Sequence, residues 1–129
     1  MPVQVSAIML GVEDLARAKR FYRDGLGCSI DQDHPNFVSF DLGEGSSALA
    51  LYEREAVAQD AGVSSEGSGF RGLSFHFIVG SSQLVDEVMG AAVAAGGEVV
   101  TPAAASRWGG YFGYFSDPDG YLWKVVSPS

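Results

Sequence analysis

The side chains of this 129-residue sequence best suited to chemistry are a histidine, a lysine and a run of aromatic rings. His76, two residues after Ser74, can orient a ligand or act as a general acid or base near neutral pH. Lys124 supplies an ammonium that can hold a carboxylate or phenolate. Between them lies Arg107-Trp108-Gly109-Gly110-Tyr111-Phe112-Gly113-Tyr114. Rings in this run can stack on a flat molecule, and glycines let a ligand approach the backbone. Trp108 and Tyr111 are the members expected to contact a ligand. Each group also has a plainer reading. His76 can be a structural histidine, Lys124 can pair with one of 16 acidic side chains or reach solvent, and the rings can fill a core.

Other reactive-looking positions carry less. Asp117-Pro118-Asp119-Gly120 places two carboxylates close together, but proline presets φ and glycine accepts a positive one, so a tight turn explains it. Cys28 has no neighbouring base in sequence and reads as a small buried hydrophobe. The glycines at Gly43 to Gly45 and Gly109-Gly110 lack the lysine-serine pair or helix start of a phosphate loop.

These residues need elements to position them, and the spacing of apolar residues supplies a repeated set. Ile8, Leu10 and Val12 alternate with Ala7, Met9 and Gly11, which predicts a first strand. From an N-cap at Asp14, Leu15, Ala18, Phe21, Tyr22 and Leu26 recur at helical spacing until Gly27. Short strand-like runs follow at Cys28 to Asp31, Asn36 to Leu42 and Ser47 to Tyr52. Residues Glu53 to Gly69 turn to Ala, Gly and Ser with no sustained period and read as a connector with at most a short helical turn. The order then begins again. Leu73, Phe75, Phe77 and Val79 form a strand phase, and Ser81 or Ser82 caps a helix ended by Gly96-Gly97. Strands are predicted at Glu98 to Thr101, about Tyr111 to Ser116, and Tyr121 to Val126. In both first strands one phase is bulky and apolar, suited to lie under a helix. The other phase (Ala7, Met9, Gly11; Ser74, His76) suits a cavity wall, and the phase of Lys124 with Leu122 and Val126 points it to the same side.

Composition narrows the function. A hydrophobic share of 47% in a chain this long provides a core without disulfides or a structural metal. A net charge of −8 repels nucleic acid and anionic membranes, so neither is expected as a partner. The longest alanine- and valine-rich stretch, Val88 to Ala95, is well below the roughly 20 apolar residues that cross a bilayer. A lone cysteine and no basic start with an apolar run behind it point to the reducing cytoplasm.

The repeat, the segment Gly11-Val12-Glu13-Asp14-Leu15 leading to Phe21-Tyr22 and Leu26-Gly27, and the ending Gly113-Tyr114-Phe115-Ser116-Asp117-Pro118-Asp119-Gly120-Tyr121-Leu122-Trp123 together resemble the vicinal oxygen chelate superfamily. That superfamily groups glyoxalase, bleomycin-resistance proteins and extradiol dioxygenases. The resemblance covers essentially the whole chain. It implies an α+β fold of two βαβββ modules, residues 1–56 and 70–129 joined by a connector at 57–69, with curved mixed sheets around a cavity, helices outside, and a homodimer. In metal-dependent members, His, Glu or Gln ligands come from the first and last strands of each module. Anchored on Val12 and Val79, the first-strand places fall on Ala7 and Ser74. The last-strand places fall on Lys124, where the family usually has Glu, and near Ala50. None is a usual ligand, so no metal or other cofactor is expected. The function implied is a metal-free protein that sequesters a planar or aromatic organic molecule, with Met9, Ser74, His76, Trp108, Tyr111 and Lys124 as contacts. The alternatives are a glyoxalase-like lyase or isomerase, or a dioxygenase-related enzyme, with an atypical site using His76 or Lys124, and an interaction scaffold with a filled interior.

Overall fold

The computed structural model describes residues 4–67, 69–107 and 109–128, and it divides the chain into two compact units between Glu66 and Gly67. In the first, β1 (Ala7–Val12) leads to α1 (Leu15–Arg20), β2 (Ser29–His34), β3 (Phe37–Asp41), β4 (Ala48–Glu53) and α2 (Arg54–Ala61). The sheet order is β1-β4-β3-β2, with β1 parallel to β4 and the other pairs antiparallel. In the second, β5 (Phe75–Ile78) is followed by α3 (Ser82–Ala94), β6 (Glu98–Ala105), β7 (Tyr111–Ser116) and β8 (Leu122–Ser127). Its order, β5-β8-β7-β6, repeats the first with the same single parallel pair, here β5 with β8. The chain is thus an α+β protein of two βαβββ modules.

Local chemistry accounts for the helices. The Asp14 side chain accepts from the Arg17 N–H at 3.0 Å and Ser81 Oγ accepts from the Leu84 N–H at 3.2 Å, each satisfying a donor the first helical turn leaves unmet. After Arg20 the helix widens into a π turn at Phe21–Gly25, closed by Leu26 N–H to the Phe21 carbonyl, and this turn sends Phe21 and Tyr22 into the core together. In the first unit that core is Leu10, Val12, Val38, Phe40, Leu49 and Leu51 beneath Ala18, Phe21 and Tyr22. In the second, Val85, Met89 and Ala92 of α3 cover a face holding Phe115, Trp123 and Val125. Trp123 anchors an aromatic cluster, with ring centroids 4.8 Å from Phe75, 6.1 Å from Phe77 and 6.3 Å from Phe115.

The start of the expected connector is helical. Residues Arg54–Ala61 are mostly good helix formers, and the helix they make buries no residue, which is why no apolar period announces it. Gly62, at φ 79°, ends it, and its N–H donates to the Ala58 and Gln59 carbonyls. The helix starts directly over β1: a Cβ on Gly11 would lie 3.0 Å from the Arg54 Cα. No helix among the described residues is long and apolar enough to cross a membrane.

Candidate functional site

The second sheet has two unlike faces. Trp123, Val125, Gly113 and Phe115 point under α3, so Leu122, Lys124 and Val126 of β8, with Phe112, Tyr114 and Ser116 of β7, occupy the other side. The register sets a row of side chains across that side. His76 of β5 opposes Lys124, Lys124 opposes Tyr114, and Tyr114 opposes Thr101 of β6.

Within this row the contacts are specific. Ser74 Oγ and His76 Nε2 share a hydrogen bond of 2.8 Å, the proton's position following the ring tautomer. The His76 ring meets Tyr114 edge to face, centroids 6.3 Å apart at 88°. Lys124 is half-buried, with Nζ 4.5 Å from the centroid of Phe112 and 5.9 Å from that of Tyr114. Beside Phe112 a hollow of about 400 Å³ is lined by Thr101, Pro102, Ala104, Ala105, Ser106 and Arg107. A volume in this range holds a small organic molecule.

The structure brings Ser74, His76 and Lys124 together as one cluster. It does not add Tyr111 to them. Tyr111 shares the phase of Gly113 and Phe115, and its hydroxyl donates to Asp86 Oδ1 of α3 at 2.7 Å, so it belongs to the helix-covered side. That bond, with partial burial and the Asp86 charge, raises the Tyr111 pKa. The rings beside Lys124 are Phe112 and Tyr114, which the same aromatic run contains. Trp108 lies outside the described residues. Met9 belongs to the first unit, where it is 45% exposed on the side of β1 away from α1 and lines a hollow of about 370 Å³ with Tyr52 and residues of α2. The two sheets correspond residue for residue here: Met9 opposes Ala50 as His76 opposes Lys124.

The places that the resemblance assigns to metal ligands hold no suitable donors. Ala7 and Ala50 have aliphatic side chains, the Ser74 hydroxyl is shared with His76, and Lys124 carries a positive charge against the Phe112 ring. Among the described residues no three His, Cys, Asp or Glu side chains gather in a metal-holding group. These residues do not fit a catalytic zinc, nickel or ferrous ion, which needs about three converging donors. Cys28 is half-buried, and burial pushes its thiol pKa up, away from the range of a nucleophile. Asp117 is a structural carboxylate: Oδ1 accepts from the N–H groups of Asp119 at 2.9 Å and Tyr121 at 2.8 Å, organising the β7–β8 turn.

Paired βαβββ modules define the class of fold, and sequence comparison identifies the family. Residues 4–125 match the Glyoxalase/Bleomycin resistance protein/Dioxygenase superfamily, to which the chain belongs. A glyoxalase-related enzyme from Fulvimarina pelagi is 31% identical, with a TM-score of 0.85, covering 96% of this chain and 87% of its own. A glyoxalase/bleomycin resistance protein/dioxygenase family enzyme from Burkholderia phytofirmans PsJN is 22% identical, with a TM-score of 0.83, covering 98% of this chain and 100% of its own. A lactoylglutathione lyase from Agrobacterium tumefaciens is 22% identical, with a TM-score of 0.68, covering 98% and 94%. The last two likenesses are of fold. No curated protein matches the sequence.

Proposed function

We propose that this protein binds a small planar or aromatic organic molecule without a metal, on the side of the second sheet that carries Lys124. The observation that supports this most is the Lys124 ammonium held 4.5 Å over Phe112, at the place the superfamily resemblance assigns to a carboxylate ligand in metal-dependent members. A ligand ring would lie against Phe112 and Tyr114, where apolar burial contributes roughly 25 cal/mol per Å². Lys124 and His76 would fix its orientation through a carboxylate or phenolate. The lone Cys28 and the superfamily resemblance extend the reading to a cytoplasmic homodimer, which sedimentation and fractionation test.

The similarity to a glyoxalase-related enzyme favours a second reading, a lyase or isomerase that uses His76 for proton transfer, with Ser74 holding the ring.

Elemental analysis separates the readings first. Tag-free protein incubated with zinc, nickel, manganese or ferrous iron and then desalted is expected to retain far less than one equivalent. Near one equivalent per chain would overturn the metal-free proposal. A thermal-shift screen weighted toward planar anions then identifies ligands. For a ligand so found, Lys124→Ala is expected to weaken binding about tenfold, the loss of one charge-assisted contact. An unchanged affinity would remove Lys124 from the site.

A further inference from the structure

Farther along β8 on the Lys124 side, the second unit has another hollow, of about 480 Å³, which the proposed function does not use. Its wall includes Phe70, Leu73, Val100, Tyr121 and Leu122, and its charged groups are Arg71 and Asp119. Phe70 is 72% exposed and Val100 50%, so large apolar side chains stand open to water around a single cation.

Arg71 is fixed in place and short of partners. Its Nη1 donates to the Asp119 main-chain carbonyl at 2.8 Å, and its guanidinium lies 4.6 Å from the centre of the Tyr121 ring. Gly120 lies beside it, where a Cβ would make an ordinary contact 3.7 Å from Nη1. The Arg71 Nε is buried and has no hydrogen-bond partner among the described residues, and within that set the guanidinium forms no ion pair. A half-buried guanidinium with no ion pair among the described residues is poorly compensated, and its flat fork matches a carboxylate. Asp119 also lines the hollow, and its carboxylate opposes a second negative charge there, which leaves a monoanion as the best fit.

We infer that this hollow binds a monocarboxylate carried on an apolar or aromatic body, with the Arg71 guanidinium holding the carboxylate and Phe70, Leu73 and Val100 covering the body. The site is separate from the one proposed around Lys124 and does not depend on it.

Phenylacetate is a suitable probe and phenylacetamide its uncharged counterpart. Both are titrated into the full chain while backbone amide shifts are followed by NMR. Phenylacetate is expected to give saturable shifts centred on Gly120, Tyr121 and Leu122, with phenylacetamide about tenfold weaker. Arg71→Ala is expected to weaken the phenylacetate shifts at Gly120, Tyr121 and Leu122 about tenfold or more, and Arg23→Ala, which removes an exposed cation of the first unit, to leave them unchanged. Any of four results would overturn the inference: no saturable shift at Gly120, Tyr121 and Leu122, equal binding of acid and amide there, full binding there by a folded Arg71→Ala, or saturable shifts confined to Phe112 and its neighbours. The last would assign the anion to the Lys124 site, and the acid-to-amide comparison needs no variant to fold.

Discussion

Lys124 and Tyr111 show how strand phase separates a side chain on the open side of a sheet from one held against a helix. The alternation of β8 puts Lys124 with Leu122 and Val126, and that phase is readable because Trp123 and Val125 between them are evident core. Tyr111 was harder to place, since its ring suits a ligand wall as well as a helix contact. The register across the β7–β8 turn settles it: Tyr114 and Lys124 each lie five residues from Asp119, so Tyr114 and not Tyr111 stands opposite the lysine. The Tyr111–Asp86 bond has its own test. Its phenol is held neutral, with a folded pKa above the unfolded value of about 10, so the bond's contribution is complete below that value and is lost as pH rises through the folded pKa. Denaturant unfolding should find Tyr111→Phe less stable than the parent at about pH 8, with the gap narrowing by about pH 11. An equal gap at both would mean that the bond does not carry the difference.

Among the elements, those with an apolar phase were legible and those without one were not. β1, α1, β5 and α3 declare themselves through alternation or helical spacing with capping residues that the structure confirms at Asp14 and Ser81. α2 was obscured because it buries nothing, and β6 runs on to Ala105 with register shifts after Val99 and Thr101, past the expected end at Thr101. The Arg71 hollow was illegible for another reason, since Arg71 and Asp119 meet across 48 residues of sequence. The close seating of α3 on β7 yields a prediction for these elements. A Cβ on Gly113 would come 3.0 Å from both Sδ and Cε of Met89 and 3.2 Å from the Cα of Ala103. The methionine can turn aside, but the Ala103 backbone cannot, so Gly113→Ala should cost about 1–3 kcal/mol in denaturant unfolding. A cost below about 0.5 kcal/mol would mean that β6 yields freely.

Taken whole, the molecule is a duplication whose halves have diverged in chemistry while keeping one architecture. Where the second module opposes His76 with Lys124, the first opposes Met9 with Ala50, so at these matching places the groups able to move a proton or hold an anion are in the second. The repeat made the architecture readable from sequence, but its symmetry says nothing about which half retains polar groups. The charge of −8 acts over the entire surface, and it predicts that the protein elutes unretained from heparin at about 0.1 M salt, where fields reach only about 10 Å. Retention there would reveal a basic patch strong enough to override the net charge.

In each module the first strand pairs in parallel with the last, and that last strand sits inside the sheet. During translation, β5 therefore leaves the ribosome roughly fifty residues before β8, the strand that joins it to β7, a delay of about 3 to 10 seconds at about 5–20 residues per second. Throughout that interval β5 has no neighbour in its own sheet, and Ile78, 74% exposed even in the finished fold, is bare. A nascent chain halted before Leu122 lacks an interior strand, so it holds two disconnected sheet fragments and is a natural client for chaperones and proteases.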